Sequence, residues 1–298
     1  MIGAAGSILP VLLLRSYCYG IDLTMNGMSS KMTNDERFQV LDTSLGRPTM
    51  LKIETAEGPA VVKRYLNKRS LYRQGVAQIG SWVFVGKSPV HPRGRMHTET
   101  ECLALWRKHG FDVFRLLDAK VPFEVPDPHL VFRYYPGRTL YSILEDGAVP
   151  ETEKLALLEK FSSTWGRRQK SALELMEPRL LHEHGSFRHV FASGDRLFTF
   201  DFEIAWVRRS FTPYLLVREV GAFLRSLGRA SWPGKFDPRL RAVVRAYPYP
   251  DLLRTTVRRA LRSPNPLRRG IYLGQKFKRL GDPYAPDQIF KWLDRLLS

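Results

Sequence analysis

Three short segments near the front of the chain limit the folds open to it more than any other feature: FQVLDTS at 38–44, TMLKIETA at 49–56 and PAVVKRYL at 59–66. Each mixes β-branched or aromatic residues with polar ones in alternation, the pattern of a strand with one buried face. Only Leu45-Gly46-Arg47-Pro48 and Glu57-Gly58 stand between them, the latter followed at once by Pro59, and both links are turn-forming. Residues 37–66 therefore read as strands separated by turns. The pattern then changes. MHTETECLALWRKH at 96–109 places Met96, Cys102, Leu103 and Trp106 at helical spacing, and Gly110 stops the run. PHLVFRYYPG at 128–137 is an apolar strand ended by Pro-Gly. TLYSILEDG, ETEKLALLEKFSSTWGRRQKSALELM and YLLVREVGAFLRSLG read as amphipathic helices, interrupted by one hairpin that turns at Ser193-Gly194-Asp195-Arg196. Strands first and helices later make an α+β chain in two parts, with a boundary near residue 136.

Charge and cysteine content narrow the setting. The formal net charge is +18, and it is clustered. Residues 58–98 carry eight Lys/Arg and no acid, and residues 252–281 carry nine and no acid. Two such blocks point to a polyanionic partner: nucleic acid, an anionic membrane surface or a phosphorylated glycan. Solvated basic faces are the plainer account. Cys18 and Cys102 are the only cysteines, which excludes a disulfide framework and suits a reducing compartment. The apolar run from Ile8 to Leu14 is too short to span a bilayer, and no positive charge precedes it. Residues 1–32 therefore read as a loose or non-native extension.

The residues that carry chemistry fall on both sides of the boundary. Lys63 ends the strand VVKRY, and Glu99 borders the apolar stripe of the helix that follows. A lysine and a glutamate on adjacent elements can pair, and the pair can hold the lysine against nucleotide phosphates. Further on, HEHGSFRH precedes the hairpin, and Asp201 closes it in the triplet Asp201-Phe202-Glu203. A carboxylate at such a strand end suits a divalent metal bridging phosphates. Each residue alone is more often structural: an edge lysine, a helix glutamate, a turn aspartate.

Taken in order, Lys63, Glu99, LVFRYYPG and HEHGSFRHV…TFDFE resemble the motif set of the protein-kinase-like superfamily, and most closely the bacterial lipopolysaccharide-core kinases that phosphorylate heptose or Kdo sugars. The basic, aromatic insert before the Glu99 helix and the helix VREVGAFLRSL, with Glu219 where an Asp is usual, are similar to that family as well. The resemblance covers roughly residues 35–230. It implies a bilobal protein-kinase-like fold, with a small antiparallel-sheet N-lobe at 33–135 and a mainly helical C-lobe at 136–298. It implies ATP between the lobes, adenine against the backbone of Tyr134, Tyr135 and Gly137, phosphates toward Lys63, and Mg²⁺ or Mn²⁺ on Asp201 and His189. It also implies a sugar acceptor on an anionic envelope glycolipid, and a cytoplasmic enzyme peripheral to the inner face of the inner membrane.

The catalytic loop departs from the family pattern. Ungapped spacing sets His182 at the usual histidine, His184 at the catalytic aspartate and His189 at the metal-binding asparagine. A gapped reading of His184-Gly185-Ser186 puts Ser186 at the aspartate instead. Either way the aspartate is missing, and SLGRPT has one glycine where a phosphate-covering loop has three. Phosphoryl transfer has a loose transition state, so positioning and charge neutralisation do most of the work and His184 could serve as the group facing the hydroxyl. Arg188 reads equally as an acceptor-phosphate ligand or a surface charge. Three other readings stand beside the active kinase. One is a silent pseudokinase that binds nucleotide. Another is a transition-metal site of His182, His184 and His189 with Asp201. The third is a nucleic-acid binder whose aromatics Tyr65, Tyr72, Trp82, Phe84, Tyr272 and Phe277 would stack on bases.

Overall fold

The computed structural model describes residues 38–44, 47–67, 86–231, 234–262 and 284–298. The expected N-terminal extension, most of the basic insert, SLGRPT's Leu45-Gly46 and the aromatics Tyr72, Trp82, Phe84, Tyr272 and Phe277 lie outside these residues.

Strands β1 (Phe38–Ser44), β2 (Arg47–Thr55) and β3 (Gly58–Arg64) form the expected antiparallel run, and β4 (His129–Arg133) completes the sheet beside β3. β3 is therefore internal, with Lys63 opposite Met50 of β2 and Leu130 of β4. The period of two sorts its side chains. Ala60 and Val62 pack with Leu51, Ile53 and Val131 in a small core of the sheet's own, and Lys63 emerges on the other face. A register shift at Asp42 in β1 is the sheet's irregularity.

Helix α1 (Pro92–Lys108) docks on that other face. His91 caps it through Nδ1, which accepts from the Gly94 amide, and Pro92 occupies the first turn, where its missing N–H costs nothing. The helix starts four residues earlier than the apolar stripe suggests because this cap, and not the first apolar residue, sets its origin. Cys102, Leu103 and Trp106 carry the stripe into a second, much larger core, and Trp106 Nε1 donates to the Arg179 carbonyl.

That larger core is built by α2 (Leu140–Glu145), α3 (Glu151–Glu174), α4 (Thr212–Arg229), α5 (Phe236–Ala246), α6 (Pro250–Leu261) and α7 (Pro286–Leu297). A small sheet of β5 (Arg138–Thr139), β6 (Val190–Ser193) and β7 (Arg196–Thr199) lies on its edge. The hairpin turns at Gly194, with φ +57°, and Ser193 pairs with Arg196 as the two-residue loop requires. The chain crosses between the two cores over Tyr134–Gly137. Gly137 is needed there: its φ is +156°, and a Cβ would meet the Ala192 carbonyl oxygen at 2.0 Å. Among the described residues no helix is long and apolar enough to cross a membrane.

Candidate functional site

Lys63 gathers groups from both halves of the chain. Its Nζ lies 2.8 Å from Glu99 Oε2, 3.0 Å from Asp201 Oδ1 and 3.2 Å from Glu203 Oε1. Glu99 also accepts from the Tyr65 hydroxyl at 2.5 Å. Arg95, one helical turn before Glu99, binds Glu203 and donates to the Leu66 carbonyl at 2.6 Å. Three carboxylates thus face two cations. Burial alone would lower the Lys63 pKa, but Glu99, Glu203 and Asp201 outweigh it and hold the ammonium well above the usual lysine range. Burial raises Glu99, against the pull of Lys63. Asp201 moves the other way. Burial would raise it, but the Lys63 ammonium beside it keeps it ionised far below the usual carboxylate range. Its backbone is in the left-handed region, φ +69°, which Asp tolerates better than most residues and which turns the carboxylate back toward Lys63.

The histidine loop approaches Asp201 from the other side. His189 Nε2 is 3.6 Å from Asp201 Oδ2, too long for a hydrogen bond, and its Nδ1 lies 2.8 Å from the His184 carbonyl. A carbonyl only accepts, so Nδ1 carries the proton and neutral His189 presents a bare Nε2. Burial, acting against Asp201, lowers its pKa and favours that neutral form. Two lone-pair donors, Oδ2 and Nε2, then face each other with no proton between them, which suits a cation held by both. Glu99, Asp201 and Glu203 also present oxygens within 4.8 Å of one another. This donor set fits the divalent ion the resemblance implies, with the nitrogen ligand tilting it toward Mn²⁺ over Mg²⁺.

His184 lies beside the same carboxylate. Its Nδ1 is 2.8 Å from Glu183 Oε2, and the ring is partly exposed. Burial works to lower its pKa, but Glu183 prevails and raises it. Ser186 is elsewhere: its hydroxyl caps the turn Phe187–His189 by accepting the Arg188 amide and contacts Ser226 Oγ at 3.1 Å. Ser186, expected as a catalytic group in the gapped reading, thus has its hydroxyl engaged by its own turn and by α4. The transition-metal alternative also fails on geometry. His182 Nε2 is 2.9 Å from the Phe200 carbonyl, the ring is buried with its pKa pushed down to about 3 by desolvation, and His184 turns to Glu183. The three imidazoles do not converge.

The loop is rooted on Glu219 of α4, which is fully buried. Oε1 accepts the His182 amide at 2.6 Å and lies 2.8 Å from Arg168; Oε2 accepts from Trp165 Nε1 at 3.2 Å and Gln169 Nε2 at 2.8 Å. Gly185 lies flat on this helix, where a Cβ would press on Phe223 at 3.0 Å.

The linker residues are placed by packing. The Tyr134 amide donates to the Pro59 carbonyl at 3.0 Å, and Lys52 Nζ sits 4.5 Å from the Tyr134 ring centroid. The Tyr135 ring stacks on Phe114 and packs on Phe198. Arg188 lies over the Tyr141 ring at 4.3 Å. Tyr65, expected among base-stacking aromatics, is fully buried and bound to Glu99.

Sequence reasoning passed over Glu203, Arg95, Glu183, Lys87 and Arg218. Glu203 stands two residues after Asp201 and Arg95 four before Glu99, spacings that mark both as neighbours of recognised residues. Lys87 had no local signal, being one of eight cations in its block.

No family model and no curated protein matches the chain. Among solved structures it is similar to WaaP in complex with acyl carrier protein, at 14% identity over 76% of this chain and 87% of that one, with a TM-score of 0.39. It is also similar to choline kinase LicA from Streptococcus pneumoniae, at 11% identity over 86% of this chain and 91% of that one, with a TM-score of 0.31. Among the described residues, the four-stranded antiparallel sheet with α1 docked on it, followed by the helical remainder, makes a two-part α+β plan.

Proposed function

We propose that this chain is a metal-dependent phosphotransferase that uses ATP to phosphorylate a hydroxyl group, its acceptor a sugar of an anionic envelope glycolipid. The meeting at Lys63 of Glu99 from α1 and Asp201 from beyond the hairpin carries the reading. Such a trio is what phosphoryl transfer demands: a fixed cation for the phosphates, a carboxylate to hold it, and a second carboxylate for a metal. In this reading Glu99 keeps Lys63 extended while ATP phosphates displace Asp201 and Glu203 from the ammonium. The adenine lies against the backbone of Tyr134–Gly137. Asp201 and His189 would hold a Mg²⁺ or Mn²⁺ ion, which would supply charge neutralisation for the phosphates. His184, its Nδ1 engaged by Glu183, offers Nε2 to orient the acceptor hydroxyl and accept its proton. The glycolipid acceptor and a place at the inner face of the inner membrane extend the resemblance and the clustered charge.

One observation favours a second reading, a silent pseudokinase: Lys63 already has three carboxylate partners and the loop lacks its aspartate. The test is transfer of labelled phosphate from ATP to total envelope glycolipid with Mg²⁺ or Mn²⁺. Labelled glycolipid is the expected result. ATP binding without transfer turns the account to the pseudokinase. Loss of both, with steeply salt-dependent RNA binding, turns it to nucleic acid.

A further inference from the structure

Glu183 is a buried charge that the chemistry above does not use directly, and its partners form a site of their own. Its side chain is 2% exposed. Oε1 binds Lys87 Nζ and lies 3.6 Å from Arg218 NH2, while Oε2 faces His184 Nδ1. The carboxylate lies beneath, and its partners reach the surface, with side chains 19% exposed for Lys87, 27% for Arg218 and 38% for His184. Two full cations share one anion, so the cluster carries a net positive charge even with His184 neutral.

Both cations are held in place before any ligand arrives. Lys87 belongs to a short antiparallel bridge with Trp206: the Ser88 amide donates to the Ala205 carbonyl at 2.9 Å and the Val207 amide to the Gly86 carbonyl at 2.7 Å. Arg218 rises from α4 with its guanidinium 5.8 Å from the Trp206 ring. At 3.6 Å, its contact with Glu183 is longer than a hydrogen bond, so the planar fork is attracted without being saturated by that carboxylate. Pre-placed cations beside an unsaturated fork are what a bidentate anion needs.

We propose that Lys87 and Arg218 form an acceptor-anion subsite, which binds a phosphomonoester or carboxylate carried by the acceptor next to the hydroxyl that His184 receives. The assignment rests on the phosphotransferase reading for its meaning, but not for its binding chemistry. It also moves the acceptor phosphate from Arg188, which is engaged with Tyr141, to the cations gathered on Glu183.

The test uses the full chain with its nucleotide cleft filled by a non-hydrolysable ATP analogue and Mn²⁺. Glucose, glucose 6-phosphate and glucuronate are then titrated calorimetrically into wild type, Lys87→Gln, Arg218→Gln and Arg188→Gln, each first checked for a cooperative melt. Glu183 keeps two partners in either subsite variant, and if one fails to fold the other decides. Expected are binding of an anionic sugar but not of glucose, affinity lowered about tenfold or more in the Lys87 and Arg218 variants, and no change in Arg188→Gln. Equal affinity in wild type and both subsite variants, loss through Arg188 instead, or no anionic-sugar binding would each overturn the subsite. If the analogue itself does not bind while the anionic sugar still depends on Arg218, the subsite stands and the phosphotransferase reading falls.

Discussion

Replacing Glu219 by Gln changes one atom and should be among the most damaging single changes in the chain. Every group that meets this carboxylate is a donor: the His182 amide, Arg168, Trp165 Nε1 and Gln169 Nε2. A glutamine at 219 must therefore aim an NH₂ group at two donors, and it leaves Arg168 buried without a counter-charge. Breaking a buried ion pair by removing one partner costs about 3–5 kcal/mol. At about 2–4 °C per kcal/mol for a domain of this size, the melting temperature should fall by roughly 6–20 °C. Chemical denaturation and a thermal melt, read side by side, give both quantities. Because the His182 amide is one of the four donors, the variant should also lose ordered contacts in the histidine loop, visible as faster amide exchange over residues 182–189. A melt within about 2 °C of wild type would show that Glu219 does not root this loop and would refute the reasoning.

Gly137→Ala should destabilise the crossing between the lobes by about 2 kcal/mol or more, since the new Cβ meets a carbonyl oxygen at a backbone angle alanine avoids; a denaturant midpoint measures it. Glu151 is held ionised below the usual range by its bonds to buried Arg239, so its contribution is present above the unfolded carboxylate pKa and is lost as pH falls through the folded one. Glu151→Gln should therefore cost about 1–2 kcal/mol at neutral pH and little once wild type is itself protonated in acid; a gap that persists unchanged to low pH would contradict this. His184→Ala should lower turnover by about a hundredfold or more while leaving ATP affinity intact; full turnover would remove its assigned role. Asp201→Asn should abolish the metal dependence of ATP binding in a chain that still folds, and retained metal dependence would move the ion to other ligands.

Much of this arrangement was legible in the sequence because it rests on local periodicity. The β-branched run in PAVVKRYL marked the strand that Lys63 ends, and the three-to-four spacing around Glu99 set it at the edge of a buried stripe. The hairpin followed from Gly194 and the α+β order from which patterns came first. What local pattern could not supply was long-range pairing. Glu183 precedes a histidine in a run of polar residues, and nothing nearby says that Lys87 will reach it from 96 positions away. Glu203 looked like the tail of a motif, yet it shares Lys63 with the motif's first residue. Ser186 is a further case: its hydroxyl caps a turn and contacts Ser226, a partner 40 positions on that spacing does not reveal.

The account's central claim is that Lys63, held by Glu99 and facing Asp201, is a nucleotide-phosphate site. Calorimetric titration of ATP with Mg²⁺ or Mn²⁺ into wild type and Lys63→Met tests it most directly. Saturable, metal-dependent binding in wild type that is lost in the variant is the predicted result; no binding in wild type, or equal binding in both, would contradict it.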